Sequence, residues 1–105
     1  MITIEFKPDE LKLTMKGHAQ YDNSGNDIVC ASASMLFYTL CQAITDSTEM
    51  MRKSTRIKNK SGDAEIHCYP KQKYKGIISR TYWTVLEGFL LLAEHYPKNV
   101  EFVVK

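Results

Sequence analysis

The chain carries only three cysteines, at positions 30, 41 and 68, an odd number with no framework spacing. That excludes a disulfide-stapled scaffold and implies a reducing compartment. No CxxC or HxxxH spacing occurs, and His67 and Cys68, adjacent in a strand, point to opposite faces, so no metal and no cofactor are expected. Long hydrophobic runs are also missing. The best, Gly88–Ala93, is far short of the roughly 20 residues a membrane helix needs. The N-terminus alternates and is charged by its fifth residue, unlike a signal peptide. These absences imply a cytoplasmic protein with no membrane partner. Charge of one sign is scarce too: the net charge of +2 is by itself too small to imply a nucleic-acid partner. There is no internal repeat, linker or biased tract. What remains is 105 residues, 44% hydrophobic and 25% charged, enough for a single domain over 1–105 with one two-layer core.

Ile2, Ile4 and Phe6 alternate with polar residues and predict a strand with one buried face. Pro8-Asp9-Glu10 predicts a turn, and Leu11, Leu13 and Met15 a second strand ended by Gly17. After a polar loop, Ile28–Met51 reads as a long helix with Val29, Ala33, Leu36, Phe37, Leu40 and Ile44 at helical spacing. Lys53–Lys60 and Asp63–Tyr69 read as a second hairpin about Ser61-Gly62, with Ile57 sharing a face with Thr55 and Asn59, and with Ile66 and Cys68 on the buried face. A helix from about Gly76 to Tyr96 follows, its mid-helix Gly88 suggesting close helix packing, and then a strand with Val100, Phe102 and Val104. The expected fold class is α+β: a two-layer sandwich, β-β-α-β-β-α-β, with two long helices on one face of a small, mainly antiparallel sheet.

The chemistry concentrates between Gly17 and Cys30, the string GHAQYDNSGNDIVC. His18 sits at a strand exit and Cys30 near the third position of the first helix. A thiol and an imidazole held together are the minimum kit for nucleophilic acyl transfer. Asp27 is a good helix N-cap, and the free amides of a helix's first turn favour a thiolate at Cys30 and offer donors for an oxyanion. Asp27 could alternatively orient the imidazole. Ser34, one turn below Cys30, is a candidate for the floor of the site. The segment Ala19, Gln20, Tyr21, Asp22, Asn23, Ser24, Gly25, Asn26 is a candidate substrate loop that closes over an extended peptide.

Gly17-His18-Ala19, a polar loop with Gly25, then Asp27-Ile28-Val29-Cys30-Ala31 with Ser34 four residues on, resembles the signature of the ribosomal-processing cysteine protease Prp family. The resemblance extends over the length and order of elements of the whole chain. It implies that Cys30 and His18 are the catalytic pair of a cysteine endopeptidase. It also implies a cytosolic homodimer that removes a short N-terminal extension from a large-subunit ribosomal protein, cutting after an aromatic residue and before a small one. One departure is visible: the family's usual Ala-Ala-Val-Ser-Ala-Leu after the cysteine is here Ala31-Ser32-Ala33-Ser34-Met35-Leu36. Ser32 and Met35 are therefore expected to reshape the pocket wall and with it the substrate preference.

The remaining features have ordinary explanations. Cys41 reads as core, His95 as surface near a helix end, and Phe37, Tyr38 and Trp83 as core or dimer interface. The apolar Leu90-Leu91-Leu92 run makes the second helix apolar nearly all round, a residue-level reason to expect a homodimer. Lys53, Arg56, Lys58, Lys60, Lys71, Lys73 and Lys75, interleaved with Tyr69 and Tyr74, could mark an RNA- or ribosome-binding module. A solvated strand face is the preferred reading, since no RNA-binding motif accompanies them.

Overall fold

A computed structural model describes residues 1–23, 25 and 27–105. Five strands and two helices follow in the expected order: β1 (Ile2–Lys7), β2 (Lys12–Lys16), α1 (Ile28–Thr45), β3 (Met51–Lys60), β4 (Asp63–Pro70), α2 (Lys75–His95) and β5 (Val100–Val104). The sheet order is β3-β4-β2-β1-β5, antiparallel throughout except for the parallel pair β1–β5.

The period-two pattern decides which face is buried. Ile2, Ile4 and Phe6 of β1, Leu13 of β2, Ala64, Ile66 and Cys68 of β4, and Val100 of β5 all point into the core. Onto them pack the stripes of α1 (Val29, Ala33, Phe37, Leu40, Ile44) and α2 (Ile78, Tyr82, Leu86, Phe89, Leu92). Phe6 sits at the centre, stacked on Tyr82 at 5.5 Å and edge-on to Trp83 at 5.2 Å. The buried Tyr82 hydroxyl donates to Cys68 Sγ at 3.5 Å, and burial pushes the Tyr82 phenol up. Cys41, half-buried on α1, is pushed up to about 11 by the same desolvation, as befits a packing residue. The two helices touch at Gly88, where an added Cβ would lie 2.5 Å from Leu36 Cδ2.

Three expectations need correction. First, α1 stops at Thr45 and does not run to Met51. Ser47 and Thr48 hydroxyls take the carbonyls of Ala43 and Thr45, the chain makes a short 3-10 turn, and Met51 is already paired with Pro70 in β3. Second, Ile57 is 43% exposed. β3 is the edge strand, and shifts of register between Met51 and Arg56 break its alternation. Third, α1 has no charged residue, and its mean hydropathy of 1.6 over 18 residues makes it long and apolar enough to cross a membrane by length and composition. Scanning for uninterrupted apolar runs missed this, because serines and threonines punctuate the helix. In the fold, α1 forms one layer of the sandwich, with its apolar stripe against the sheet.

Candidate active site

The site begins where β2 ends. Gly17 has φ +92, and a Cβ there would collide with the Met1 carbonyl oxygen, so only glycine lets the chain leave the sheet in this direction. Its amide donates to the Gly62 carbonyl at 2.9 Å, tying the strand exit to the turn of the β3–β4 hairpin. His18 is exposed, and its imidazole lies over that turn: a Cβ built on Gly62 would be 2.7 Å from His18 Nε2.

Ala19 then turns inward and is buried. Its N–H donates to Cys30 Sγ at 3.3 Å, and its carbonyl accepts from Asn99 Nδ2 at 2.9 Å. Gln20 follows with φ +55, a left-handed conformation uncommon outside glycine. The loop is next gathered by Asp27. Its Oδ1 accepts from the Cys30 amide at 2.9 Å, and its Oδ2 from the amides of Tyr21 at 3.0 Å and Asp22 at 3.4 Å. Burial alone would raise the Asp27 carboxyl. The amides of Cys30, Tyr21 and Asp22, together with the Cys30 thiol, outweigh that effect and hold the carboxyl below its ordinary value. Tyr21 lays its ring edge-on to Tyr96, 5.4 Å between centroids.

His18, Cys30, Asp27 and Ser34 line one cleft of about 700 Å³, as do Gly17, Gln20, Asp22 and Gly25. Ala19 lies beneath the cleft and presents no side chain to it. Tyr21 turns away onto Tyr96, and Asn23 stays outside the lining. Of the candidate loop residues, Ser24 and Asn26 lie outside the described residues. Among the described residues no hydrogen bond joins His18 to Cys30, and Asp27 makes none to His18; Asp27 is the helix cap and the anchor of the loop. The expected oxyanion donors are also engaged: the amide of Cys30 on Asp27 Oδ1, and that of Ala31 on the Asp27 carbonyl at 3.1 Å. Ser32 and Met35 do not reshape this cleft. Both are exposed on the far side of α1, in an open apolar groove of about 590 Å³ beside Leu91 of α2. Position along the helix explains it: two and five residues after Cys30 place a side chain well off its face.

Sequence reasoning missed the opposite wall, the hairpin segment 59–64, and missed Asn99. Gly62 was legible as a turn, but its position under His18 depends on β2 pairing with β4, Lys16 opposite Asp63. Nothing local marks Asn99. No group of three His, Cys, Asp or Glu that could hold a metal occurs among the described residues.

A cysteine at the start of a helix and a histidine lining the same polar cleft of an α+β sandwich are the groups a cysteine protease requires. Residues 1–101 match the family of the cysteine protease Prp, and the chain belongs to that family. No curated protein matches at a significant level. Among solved structures, an essential ribosomal processing protease Prp from Staphylococcus aureus, in complex with a covalently linked product peptide, is 25% identical with a TM-score of 0.80 over the full length of both chains. The same protease with a substrate peptide is 24% identical, with a TM-score of 0.71 over both full chains. The protein SMU.848 from Streptococcus mutans is 23% identical with a TM-score of 0.66, over 99% of this chain and 93% of that one.

Proposed function

We propose that Cys30 and His18 form a catalytic dyad that removes a short N-terminal extension from a large-subunit ribosomal protein, cutting after an aromatic residue and before a small one. The observation that carries this reading is the environment of Cys30: its sulfur accepts the Ala19 amide at 3.3 Å inside the cleft that His18 also lines. The contact fixes the sulfur in that shared cleft. The Staphylococcus aureus protease, a ribosomal processing enzyme with peptide complexes, supplies the substrate class.

In the reaction the Cys30 thiolate attacks the scissile carbonyl carbon and a C–S bond forms. Imidazolium at His18 protonates the leaving amine as the C–N bond breaks. Water, deprotonated by His18, then hydrolyses the thioester and restores the thiolate and imidazolium. The imidazole resting on Gly62 has to swing toward the sulfur, a tightening that peptide binding commonly brings about in catalytic pairs loose in the free enzyme. The Cys30 amide is held by Asp27, so the Ala19 N–H beside the sulfur is the candidate oxyanion donor, transferring from Sγ to the oxyanion as the C–S bond forms. Ser34 lies along the cleft below.

Residues 1–105 act as one protease domain, working in the cytoplasm as a homodimer. An exposed apolar helix layer supports the dimer: Met35 is 63% and Leu91 54% exposed. The test is cleavage of a synthetic peptide with an aromatic–small junction by wild type and Cys30→Ala. Loss of turnover by about a thousandfold or more in the variant is expected. Equal cleavage by both would overturn the dyad.

A further inference from the structure

We propose that the open face of the sheet, opposite the helices, binds single-stranded RNA. The surface charge is one-sided. The five strands hold eight Lys and Arg against four Asp and Glu, five of those cations on β3 alone, while the rest of the chain holds six against eight. The modest net charge of the whole therefore hides a basic face.

The ion pairs do not neutralise it: Glu65, Asp63 and Glu5 each serve two cations, and only Glu10, on Lys7 at 4.0 Å, serves one. Glu65 accepts from Lys12 at 3.8 Å and Arg56 at 3.2 Å. Asp63 does so from Lys16 at 3.8 Å and Lys58 at 2.6 Å. Glu5 is shared by Lys7 at 3.9 Å and Lys105 at 3.4 Å. The trios on Glu65 and Asp63 each retain one positive charge, whereas Glu10 balances the one on Glu5; Arg52, Lys53 and Lys60 have no ion-pair partner among the described residues. The pairing also holds these cations in place, which reduces the side-chain entropy lost when a polyanion binds.

Charge alone would suit any polyanion. The aromatic element favours a single-stranded nucleic acid over other polyanions. His67 and Tyr69, two residues apart on β4, lie 4.5 Å apart between centroids with their planes tilted by 34°, and the Tyr69 hydroxyl is 3.3 Å from His67 Nδ1. His67 is opposite Lys12 on β2 and Arg56 on β3, so cations flank the pair on both neighbouring strands. Lys53 Nζ lies 4.1 Å and Arg52 Cζ 5.4 Å from the Tyr69 ring centre. A sheet face that offers rings to bases and cations to phosphates, on strands about 4.8 Å apart, is a platform for a splayed single strand. An acidic protein segment would use the cations but gain nothing from the rings. The His67–Tyr69 pair with Arg52, Lys53 and Arg56 lines none of the cleft at Cys30, although Lys60 and Asp63 border both, and the proposal does not depend on the dyad reading.

The test is fluorescence anisotropy of a labelled 20-nucleotide single-stranded RNA with the full chain. Binding that weakens roughly 50-fold between 50 and 200 mM salt is expected if about four phosphates are contacted. Lys53→Glu with Arg56→Glu should weaken it about tenfold or more at 100 mM salt while peptide cleavage is unchanged. Tyr69→Leu, which removes no charge, should weaken RNA about fivefold and leave polyglutamate binding unaltered. The neutral pair Lys53→Gln, Arg56→Gln repeats the first test should charge reversal lower the melting temperature. No binding by wild type at 50 mM salt, indifference to these variants, or polyglutamate bound as tightly as RNA would overturn the proposal.

Discussion

The backbone amide of Ala19 donates to the sulfur of Cys30 at 3.3 Å, across eleven residues of chain. Ala19 is held for this by Asn99, whose Nδ2 donates to the Ala19 carbonyl at 2.9 Å, while the Asn99 carbonyl accepts the Ile2 amide at 2.8 Å. Asn99 thereby ties the loop to β1 beside β5. Its role toward Cys30 is positioning, since it touches the peptide plane and not the sulfur. Asn99→Ala leaves the carbonyl of buried Ala19 without its donor, at a cost of about 1–2 kcal/mol in unfolding free energy. With Ala19 released, alkylation of Cys30 by iodoacetamide at neutral pH should slow by roughly threefold or more. A purely structural role would lower the melting temperature and leave the alkylation rate of the folded protein unchanged.

His18 rests on Gly62, and the contact admits no side chain. Gly62 has φ +72, a conformation costing other L residues about 1–2 kcal/mol, and a Cβ would stand 2.7 Å from Nε2. Gly62→Ala is expected to push the imidazole away from the hairpin and lower kcat by about tenfold, with KM changed less. The neighbouring Ser61→Ala, on the same turn, serves as control and should leave kcat within about twofold. Equal loss in both variants would mean that the turn, and not the space beneath the imidazole, is what matters.

These two contacts mark where sequence reading stops. The strands were legible because one buried face forces Ile2, Ile4 and Phe6, or Ala64, Ile66 and Cys68, into strict alternation. Asp27, Cys30 and the strand exit at Gly17 were legible because capping and chain reversal are local. The helix end at Thr45 was not, since apolar spacing runs on into Met50 and Met51, which belong to a turn and to β3. Ile57 misled because alternation predicts burial only where a second layer covers the strand. Asn99 is 80 residues from its partner Ala19, and the hairpin wall meets His18 only through β2–β4 pairing. No local rule reaches either. The basic set on the second hairpin was legible, but its concentration on one sheet face was not, since net charge sums what the fold separates.

Asp27 is the group whose ionisation should be visible in stability. Its folded carboxyl sits below the ordinary value of 3.8, burial notwithstanding, because three amides and the Cys30 thiol favour the charged form. A depressed carboxyl contributes stability that is fully present above the unfolded value and is lost as pH falls through the folded one. Asp27→Asn, which keeps a capping oxygen but loses the charge, should therefore be less stable than wild type near neutral pH, with a margin that narrows below about pH 4. Chemical denaturation at pH 7, 5 and 3 checks this. A margin that is the same at all three would assign Asp27 to hydrogen bonding alone, with its charge irrelevant.

The last expectation concerns the outer surface of the helices. Met35 of α1 and Leu91 of α2 flank the groove of about 590 Å³ in which Ser32 also lies. Leu91 is 54% and Met35 63% exposed, and Ile77, farther along α2, is 56% exposed. α1 carries no charge anywhere, so the α1 side of the groove lacks the charged rim that keeps a monomer's surface from self-association, while exposed Glu87 and Glu94 border Leu91 on the α2 side. A second copy packing here would bury those side chains at about 25 cal/mol per Å² of apolar surface. A single carboxylate placed in the seam would oppose this by its desolvation. Leu91→Glu is expected to convert the protein to a 12.1 kDa monomer by sedimentation at micromolar concentration, while wild type stays at twice that mass. Because Leu91 lines none of the cleft, the monomer should keep the reactivity of Cys30 toward iodoacetamide. A wild type already monomeric at tens of micromolar, or a Leu91→Glu protein that still dimerises, would remove this face as the interface.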